Sequence, residues 1–238
     1  MSSYRTPKSR KRKRTSDTAS TRSVRRRMNF KPRLSFKRAA ILNDMQRVSM
    51  IYGEVKTIAP NDVAEGLTKF QVRANSCYDP GYAVDVADHQ PRGWDELAAL
   101  YERYAVINAK IQVTFVSETR VPFFYCVSLR DGGATSTTID DELEYGGARH
   151  RTLPKSIALA KADSVTITHS VNIKKFTGKD GKDDRNSALI NNNPTNIVLF
   201  DIGVAPLIAL GATHSPVYIT YKIIYDTLLM EPRNPGSS

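Results

Sequence analysis

The sequence has few cysteines and no long apolar run, and no secretory leader is expected. Cys77 and Cys126 are its two cysteines, and their separation fits neither a CxxC motif nor a zinc-ligand spacing. Each lies in or beside an apolar strand-like run, so we expect buried free thiols, with a disulfide as the alternative. No apolar run reaches the roughly 18–20 residues of a transmembrane helix, and the basic start lacks the apolar region of a secretory signal. We therefore expect no membrane partner.

Catalytic and metal-binding signatures are also missing. The histidines show no HxH, HExxH or His/Cys pairing, and no Walker loop, GxSxG elbow or kinase motif occurs. We predict no catalysis, no metal site and no cofactor. His169 is expected to be a hydrogen-bonded core residue, and residues 180–184 a solvated loop. The acidic run 140–144 is expected to be a solvated turn, with cation bridging as the alternative.

Acidic residues are almost absent from residues 1–38, which we call the arm. Of the 35 bases and 24 acids in the chain, the arm holds fifteen bases and one acid, Asp17, so it carries +14 and residues 39–238 carry −3. The fifteen bases are Arg5, Lys8, Arg10, Lys11, Arg12, Lys13, Arg14, Arg22, Arg25, Arg26, Arg27, Lys31, Arg33, Lys37 and Arg38.

The composition of the arm favours disorder and electrostatic binding. It is rich in Ser and Thr and poor in apolar residues, so it cannot bury enough surface to offset its ordering entropy. Lysine and arginine displace condensed counterions from phosphates, so we predict salt-sensitive binding to nucleic acid without sequence readout. Two clusters also match nuclear import signals, and both roles are compatible with the same side chains. These clusters are Lys11, Arg12, Lys13 and Arg14, and Arg25, Arg26 and Arg27.

Beyond the arm, apolar and polar residues alternate with the period of two expected for β-strands. The run Ile197–Phe200 is continuously apolar, which suggests a strand covered on both faces. Clusters of Gly, Pro, Asn and Asp separate the strand signals. Eight strands are predicted, and they cover residues 45–58, 69–74, 107–116, 122–130, 152–160, 164–175, 195–203 and 217–226.

One short helix is predicted between the second and third strands. Trp94, Leu97, Ala98 and Tyr101, followed by Tyr104 or Ala105, recur at helical spacing. Eight strands with long, irregular connections favour a two-sheet jelly roll over a meander, and the lack of strand–helix alternation disfavours a parallel α/β sheet. The predicted fold is all-β: an eight-stranded jelly-roll sandwich over residues 39–238, preceded by a disordered basic N-terminal arm over residues 1–38.

Three neighbouring motifs carry a resemblance to a known family. They are the strand exit Val72–Gly81 (VRANSCYDPG), the turn His89–Glu96 (HQPRGWDE) and the segment Tyr101–Val106 (YERYAV) with Lys110 and Ile111 after it. Together they resemble capsid proteins of circular Rep-encoding single-stranded DNA viruses, above all circovirus-like and unclassified environmental members. Asp88 stands where Gly commonly precedes the histidine. The basic arm and the strand order extend the likeness over nearly the whole chain.

The motif residues also have structural interpretations of their own. Asn75 and Asp79 can turn the chain as it leaves a strand. We expect Gly93 to let backbone pass close by, and Trp94 to anchor the helix in the core. Face assignment further suggests Lys69, Arg73 or Lys110 as additional bases on an inward surface.

The resemblance implies a viral-capsid type of jelly roll and a shell of sixty identical subunits or a small multiple. It also implies inward-pointing arms, a nuclear phase, and surface loops that meet a host receptor of unknown identity. The expected partners are single-stranded nucleic acid, other copies of the chain and nuclear import receptors, and the expected locations are the virion and the host nucleus. The alternatives are the coat protein of a small single-stranded RNA virus or satellite, and a cellular nucleic-acid-binding protein without sequence specificity.

Overall fold

A computed structural model of the chain describes residues 42–82, 89–117, 121–133, 136–153, 163–210 and 216–233, and the predicted arm lies outside them. The described residues form nine strands and three helices. The strands are β1 (Met45–Ile58), β2 (Thr68–Arg73), β3 (Tyr101–Ser117), β4 (Phe123–Asp131), β5 (Ala148–Leu153), β6 (Asp163–Asn172), β7 (Ser187–Leu189), β8 (Val198–Pro206) and β9 (Val217–Pro232). The helices are α1 (Trp94–Ala98), α2 (Ile139–Glu144) and α3 (Ile173–Thr177).

The strands form two antiparallel sheets. The first has the order β1-β9-β3-β6, with the short β7 also pairing with β3, and the second has the order β2-β8-β4-β5. The first strand therefore pairs with the last, the second with β8, β3 with β6 and β4 with β5. Such nested pairs arise when a long antiparallel ribbon is rolled up into two facing sheets, which is the jelly-roll arrangement. The predicted all-β jelly roll is confirmed, with β7 added to the eight long strands.

The hydrophobic core lies between the two sheets. Along β9 every second residue from Val217 to Tyr225 is buried, while Lys222 and its alternating neighbours are exposed, as the period of two predicts. Strand β8 is buried along its whole length. Its second face is covered by a small apolar cluster beneath α2, so the expectation of a strand covered on both faces is confirmed. This cluster consists of Leu67, Phe124, Cys126, Ile139 and Ala205.

The helix between β2 and β3 is shorter than the sequence predicts. It ends at Ala98, and the chain from Tyr101 onward belongs to β3. Residues Tyr104 and Ala105, assigned to the helix by their spacing, instead pair with Leu229 and Leu228 of β9. The long end of β9 supplies these backbone partners, and a tertiary ladder of this kind overrides local periodicity.

Two further helices were not predicted. Strand β6 ends at Asn172, where a strand was predicted to continue to residue 175. The Asn172 side chain accepts a hydrogen bond from the Lys175 N–H at 2.9 Å and so begins α3, which ends at Thr177 and is followed by Gly178 with a positive φ. Helix α2 occupies the predicted acidic turn. The strand predicted at 152–160 is β5, which begins earlier, at Ala148; residues 154–160 lie outside the described part.

Candidate nucleic-acid interface

The fifteen arm bases and both predicted import clusters lie outside the described residues, and the charged surfaces that the structure describes belong to the sandwich. The chain enters the described part at residue 42 and forms β1, an edge strand of the first sheet. The Tyr101 hydroxyl donates a hydrogen bond to the Asn43 carbonyl at 3.3 Å. This contact places the entry of the chain beside the start of β3.

The face of the first sheet that points away from the core, which we call the outer face, carries polar and basic side chains together with the exposed apolar residues Ile51 and Val55. Arg47 is paired with Asp226, with its Nε donating to Oδ1 at 2.6 Å. Lys110 and Lys222 are exposed on this face and have no ion pair within the described residues. Exposed lysines without an ion pair are available for phosphate contacts. The remaining polar side chains here include Ser49, Gln112, Thr114, Thr166, Thr168, Ser170 and Thr220.

Lys69, expected as an inward-facing base, is instead buried in a cluster of four charged side chains beneath α2. Its Nζ lies 2.5 Å from Oε2 of Glu142 and 3.5 Å from Oδ2 of Asp201. Arg130 completes the cluster, with Nη2 2.8 Å from the same Glu142 oxygen and Nε 3.5 Å from Asp201 Oδ2. Two bases and two acids neutralise one another, so Lys69 is not available to a polyanion.

The cluster also corrects the prediction of a solvated acidic turn. Glu142 is fully buried, whereas Asp140, Asp141 and Glu144 of the same helix are exposed. The Thr138 hydroxyl accepts a hydrogen bond from the Asp141 N–H at 3.3 Å and so caps the helix. The buried Glu142 carboxylate therefore binds helix α2 to the second sheet through Lys69 and Arg130.

The two acids of the cluster differ in their protonation behaviour. Burial raises the pKa of Asp201, and a hydrogen bond from Gln71 and the charge of Lys69 offset this only in part. Burial acts on Glu142 in the same sense, but hydrogen bonds from Lys69 and Ser128 outweigh it and hold its pKa below the ordinary value. Glu142 is consequently ionised at neutral pH and balances the positive charges around it.

Arg73, the second expected inward base, is also engaged. Its Nη1 donates to the carboxylate of Asp79, to the Asp79 carbonyl at 2.9 Å and to the Gly81 carbonyl. The guanidinium lies 5.2 Å from the ring centre of Tyr82, and the Tyr225 hydroxyl donates to the Arg73 carbonyl at 2.7 Å. Arg73 stabilises the turn after β2, and among the three expected bases Lys110 alone is exposed.

The motif residues have structural roles in the sandwich. Asn75 donates to the Asn196 carbonyl at 2.6 Å and accepts from the Val198 N–H at 3.1 Å, which joins the end of β2 to the start of β8. Trp94 is buried, with its ring centre 4.9 Å from that of Tyr104 in an edge-on contact. Gly93 has a φ of 85°, and no atom lies within 4 Å of the position a Cβ would take. Gly93 is therefore suited to a left-handed backbone conformation. The expectation that another backbone segment passes close to Gly93 is wrong.

The remaining candidates agree with structural roles. His169 is buried, with Nε2 2.9 Å from the Gly147 carbonyl, as expected for a hydrogen-bonded core residue. Cys77 and Cys126 are free and buried. The described residues hold no group of three His, Cys, Asp or Glu side chains that could bind a metal ion. In the same part of the chain, no helix is long and apolar enough to cross a membrane.

Sequence analysis missed two arginines of the sandwich. Arg149 and Arg151 are exposed on β5. The predicted strand began at residue 152, so both fell in a presumed connection and were not assigned to a face. Their spacing of two residues matches the period of a β-strand, and this signal could have placed both arginines on one face of β5.

Taken together, the topology and the core define a jelly-roll β-sandwich protein. No protein-family model matches the sequence. No curated protein matches it either. Among solved structures the chain is similar to that of Desmodium yellow mottle tymovirus, with 14% identity over 87% of this chain and 99% of the other and a TM-score of 0.40. It is also similar to the decameric BFDV capsid protein, with 10% identity over 78% and 99% of the two chains and a TM-score of 0.44. For tobacco necrosis virus the identity is 14% over 82% and 87%, and the TM-score is 0.41.

Proposed function

We propose that this chain is the coat protein of a small icosahedral virus, which assembles into a closed shell and packages a single-stranded, circular DNA genome through its arm. The observation that carries this proposal is the separation of charge along the chain. The arm carries +14 and the rest of the chain −3. The basic character of the chain therefore belongs to the arm, and the sandwich is close to neutral.

The arm supplies affinity without reading sequence, as a protein that coats a whole genome requires. Each Lys or Arg held near a phosphate releases a condensed counterion, so binding is strong and sensitive to salt. Sixty arms would carry roughly 840 positive charges, which is enough to neutralise on the order of a thousand nucleotides. The domain boundary near residue 38 follows the same division of charge.

The sandwich supplies the contacts between copies. Because its net charge is small, copies can approach once nucleic acid has neutralised their arms. Apolar side chains remain exposed on its first sheet, notably Val55 at 68% and Ile51 at 51%. Burial of such groups against neighbouring copies would couple shell closure to nucleic-acid binding.

A nuclear phase is the second part of the proposal. The clusters at residues 11–14 and 25–27 have the composition of import signals. They would direct the free subunit to the host nucleus by binding import receptors, and would contact nucleic acid in the virion. Replacing both clusters with alanine in a fluorescent fusion should abolish nuclear accumulation, whereas nuclear accumulation that persists would contradict this role.

Purification of the full chain tests the main proposal. Sedimentation and electron microscopy should reveal closed particles of megadalton size, and nuclease treatment should identify the protected nucleic acid as single-stranded DNA. Protected RNA would support the coat protein of an RNA virus or satellite. Small soluble complexes with nucleic acid would support a cellular nucleic-acid-binding protein and would refute the shell.

Deletion of residues 1–38 tests the role assigned to the arm. The truncated chain should lose protected nucleic acid at moderate salt. Matched variants separate charge from sequence: Arg25→Lys, Arg26→Lys and Arg27→Lys together keep the charge and should keep packaging, whereas the same three positions changed to Gln should reduce it. Undiminished packaging by the truncated chain would contradict the assignment.

A further inference from the structure

Among the described residues, β5 and β6 are edge strands of the two sheets, and they lie on the same side of the sandwich. Between these edge strands lies a groove of about 340 Å³. One wall is residues 148–151 of β5, and the other is Thr166, Ile167 and Thr168 of β6. An edge strand without a neighbour in the described part of the chain presents backbone groups as well as side chains to a ligand, so such a groove is a natural binding position.

Arginines occupy places on β5 where core residues would be expected. Arg149 lies opposite Val127, and Arg151 lies opposite Tyr125. Both partners belong to the hydrophobic core, and opposed residues of an antiparallel pair share a face. The two arginines are therefore directed to the side of β5 that faces the first sheet, yet both remain exposed at the open edge.

These two arginines differ from every other arginine on a described strand. Each of the others lies within ion-pair distance of a carboxylate, whereas Arg149 and Arg151 have no ion pair among the described residues. A solvent-exposed charge without a protein partner carries no desolvation penalty, and it remains available to a ligand. The four paired arginines are Arg47 with Asp226, Arg73 with Asp79, Arg103 with Asp184 and Arg130 with Glu142.

The geometry of the groove suits an extended polyanion. Residues two apart on a strand lie about 6.7 Å from each other, so the two guanidinium groups can each contact a different phosphate. Thr166 and Thr168 add hydroxyl donors, and both belong to the outer face of the first sheet. That face continues through Ser170 to its strand partner Lys110. The groove and the two exposed lysines thus lie along one weakly basic surface.

We propose that the groove between β5 and β6 binds the phosphate backbone of single-stranded nucleic acid, with Arg149 and Arg151 as the contacting side chains. This inference rests on the proposed function and deepens it, because it adds a binding site on the sandwich to the arm. The arm gathers nucleic acid without fixed geometry, and the groove holds one strand at a defined position on each subunit.

The dependence of affinity on salt tests this site. The full chain carrying Arg149→Ala and Arg151→Ala is titrated with a single-stranded deoxythymidine oligonucleotide at several salt concentrations. The steepness of the plot of the logarithm of the association constant against the logarithm of the salt concentration should fall by roughly 1.4, because each lost phosphate contact lowers that slope by about 0.7. Arg149→Lys with Arg151→Lys should keep most of the slope. The matched control is Arg92→Ala with Arg185→Ala, which removes the same charge from two exposed arginines outside the groove and should leave the slope nearly unchanged. Far-UV circular dichroism identifies variants that retain the strand content.

The outcomes separate this site from the proposed function. If the full chain binds no oligonucleotide, the proposed function fails together with the site. If it binds and the groove variant has the slope of the control variant, the site alone is refuted. An unchanged slope accompanied by aggregation of the alanine variant would also refute it, and would assign the arginines to protection of the open edge. Binding of a sulfated polysaccharide that requires the two arginines, with unchanged oligonucleotide binding, would likewise refute it.

Discussion

The buried charge cluster beneath α2 makes the sharpest prediction about stability. Glu142→Gln keeps the size of the side chain and removes its charge. Lys69 and Arg130 would then share Asp201 as their remaining acid, so one buried positive charge would be uncompensated. Breaking a buried ion pair from one side costs about 3–5 kcal/mol. Because Asp201 stays 3.5 Å from both bases, the loss should lie near the lower end, at about 3 kcal/mol.

Urea unfolding followed by far-UV circular dichroism at neutral pH measures this loss. Glu144→Gln is the matched control, because it lies on the same helix, removes the same charge and is exposed. A surface substitution of this kind should change the free energy of unfolding by no more than about 0.5 kcal/mol.

A double-mutant cycle tests the mechanism as well as the size. Lys69→Met removes a positive charge, so adding it to Glu142→Gln restores neutrality within the cluster. The double variant should therefore be more stable than the sum of the two single losses predicts, by about 1 kcal/mol or more. The cluster does not stabilise the contact between α2 and the second sheet if Glu142→Gln lowers the free energy of unfolding no more than Glu144→Gln does. The same conclusion holds if the decreases caused by Glu142→Gln and Lys69→Met simply add.

Three further predictions concern Glu142, the two cysteines and Asn75. The pKa of Glu142 is lowered in the folded state, so its ionised form contributes stability above the unfolded pKa, and this stability is lost as pH falls through the folded pKa. The decrease in the free energy of unfolding caused by Glu142→Gln, measured by urea unfolding, should therefore shrink at acidic pH. A decrease that stays constant with pH would contradict this. Burial raises the pKa of Cys77 and of Cys126 to about 12, so iodoacetamide should label neither thiol until urea unfolds the chain, as mass spectrometry would detect. Asn75→Ala should lower the free energy of unfolding by about 1–3 kcal/mol, because it leaves the buried Val198 N–H unpaired, whereas Asn43→Ala, at an exposed position, should have little effect.

The strands were predictable where one face meets the core and the other meets solvent. Strand β9 shows this well, since its buried and exposed residues alternate without interruption from Val217 to Tyr225. Prediction failed where the chain changes direction within a periodic run. Asn172 continues the alternation of β6 but also caps α3, and Tyr104 has helical spacing but pairs with β9. Local patterns do not contain the partner strand that decides such cases.

The charged residues were harder to assign, because the sequence does not say which of them meet. Lys69 and Arg130 are 61 residues apart along the chain, yet both contact Glu142. Face assignment placed Lys69 on one side of β2, but α2 covers that side and turns an expected surface base into a buried one. By contrast, the basic arm was evident from composition alone, since its charge needs no partner within the chain to be noticed.

Internal pairing of charge decides which basic residues of the sandwich can serve a ligand. Arg47, Arg73, Arg103 and Arg130 each have a carboxylate partner, and Lys69 shares one. In the described part, the exposed strand bases without such a partner include Lys110 of β3, Arg149 and Arg151 of β5, and Lys222 of β9. All four lie on the first sheet's outer face or at the groove that borders it. If the chain binds nucleic acid as proposed, its phosphates would contact these unpaired cations, so the nucleic acid would lie on the side of the first sheet and away from the acidic surface of α2.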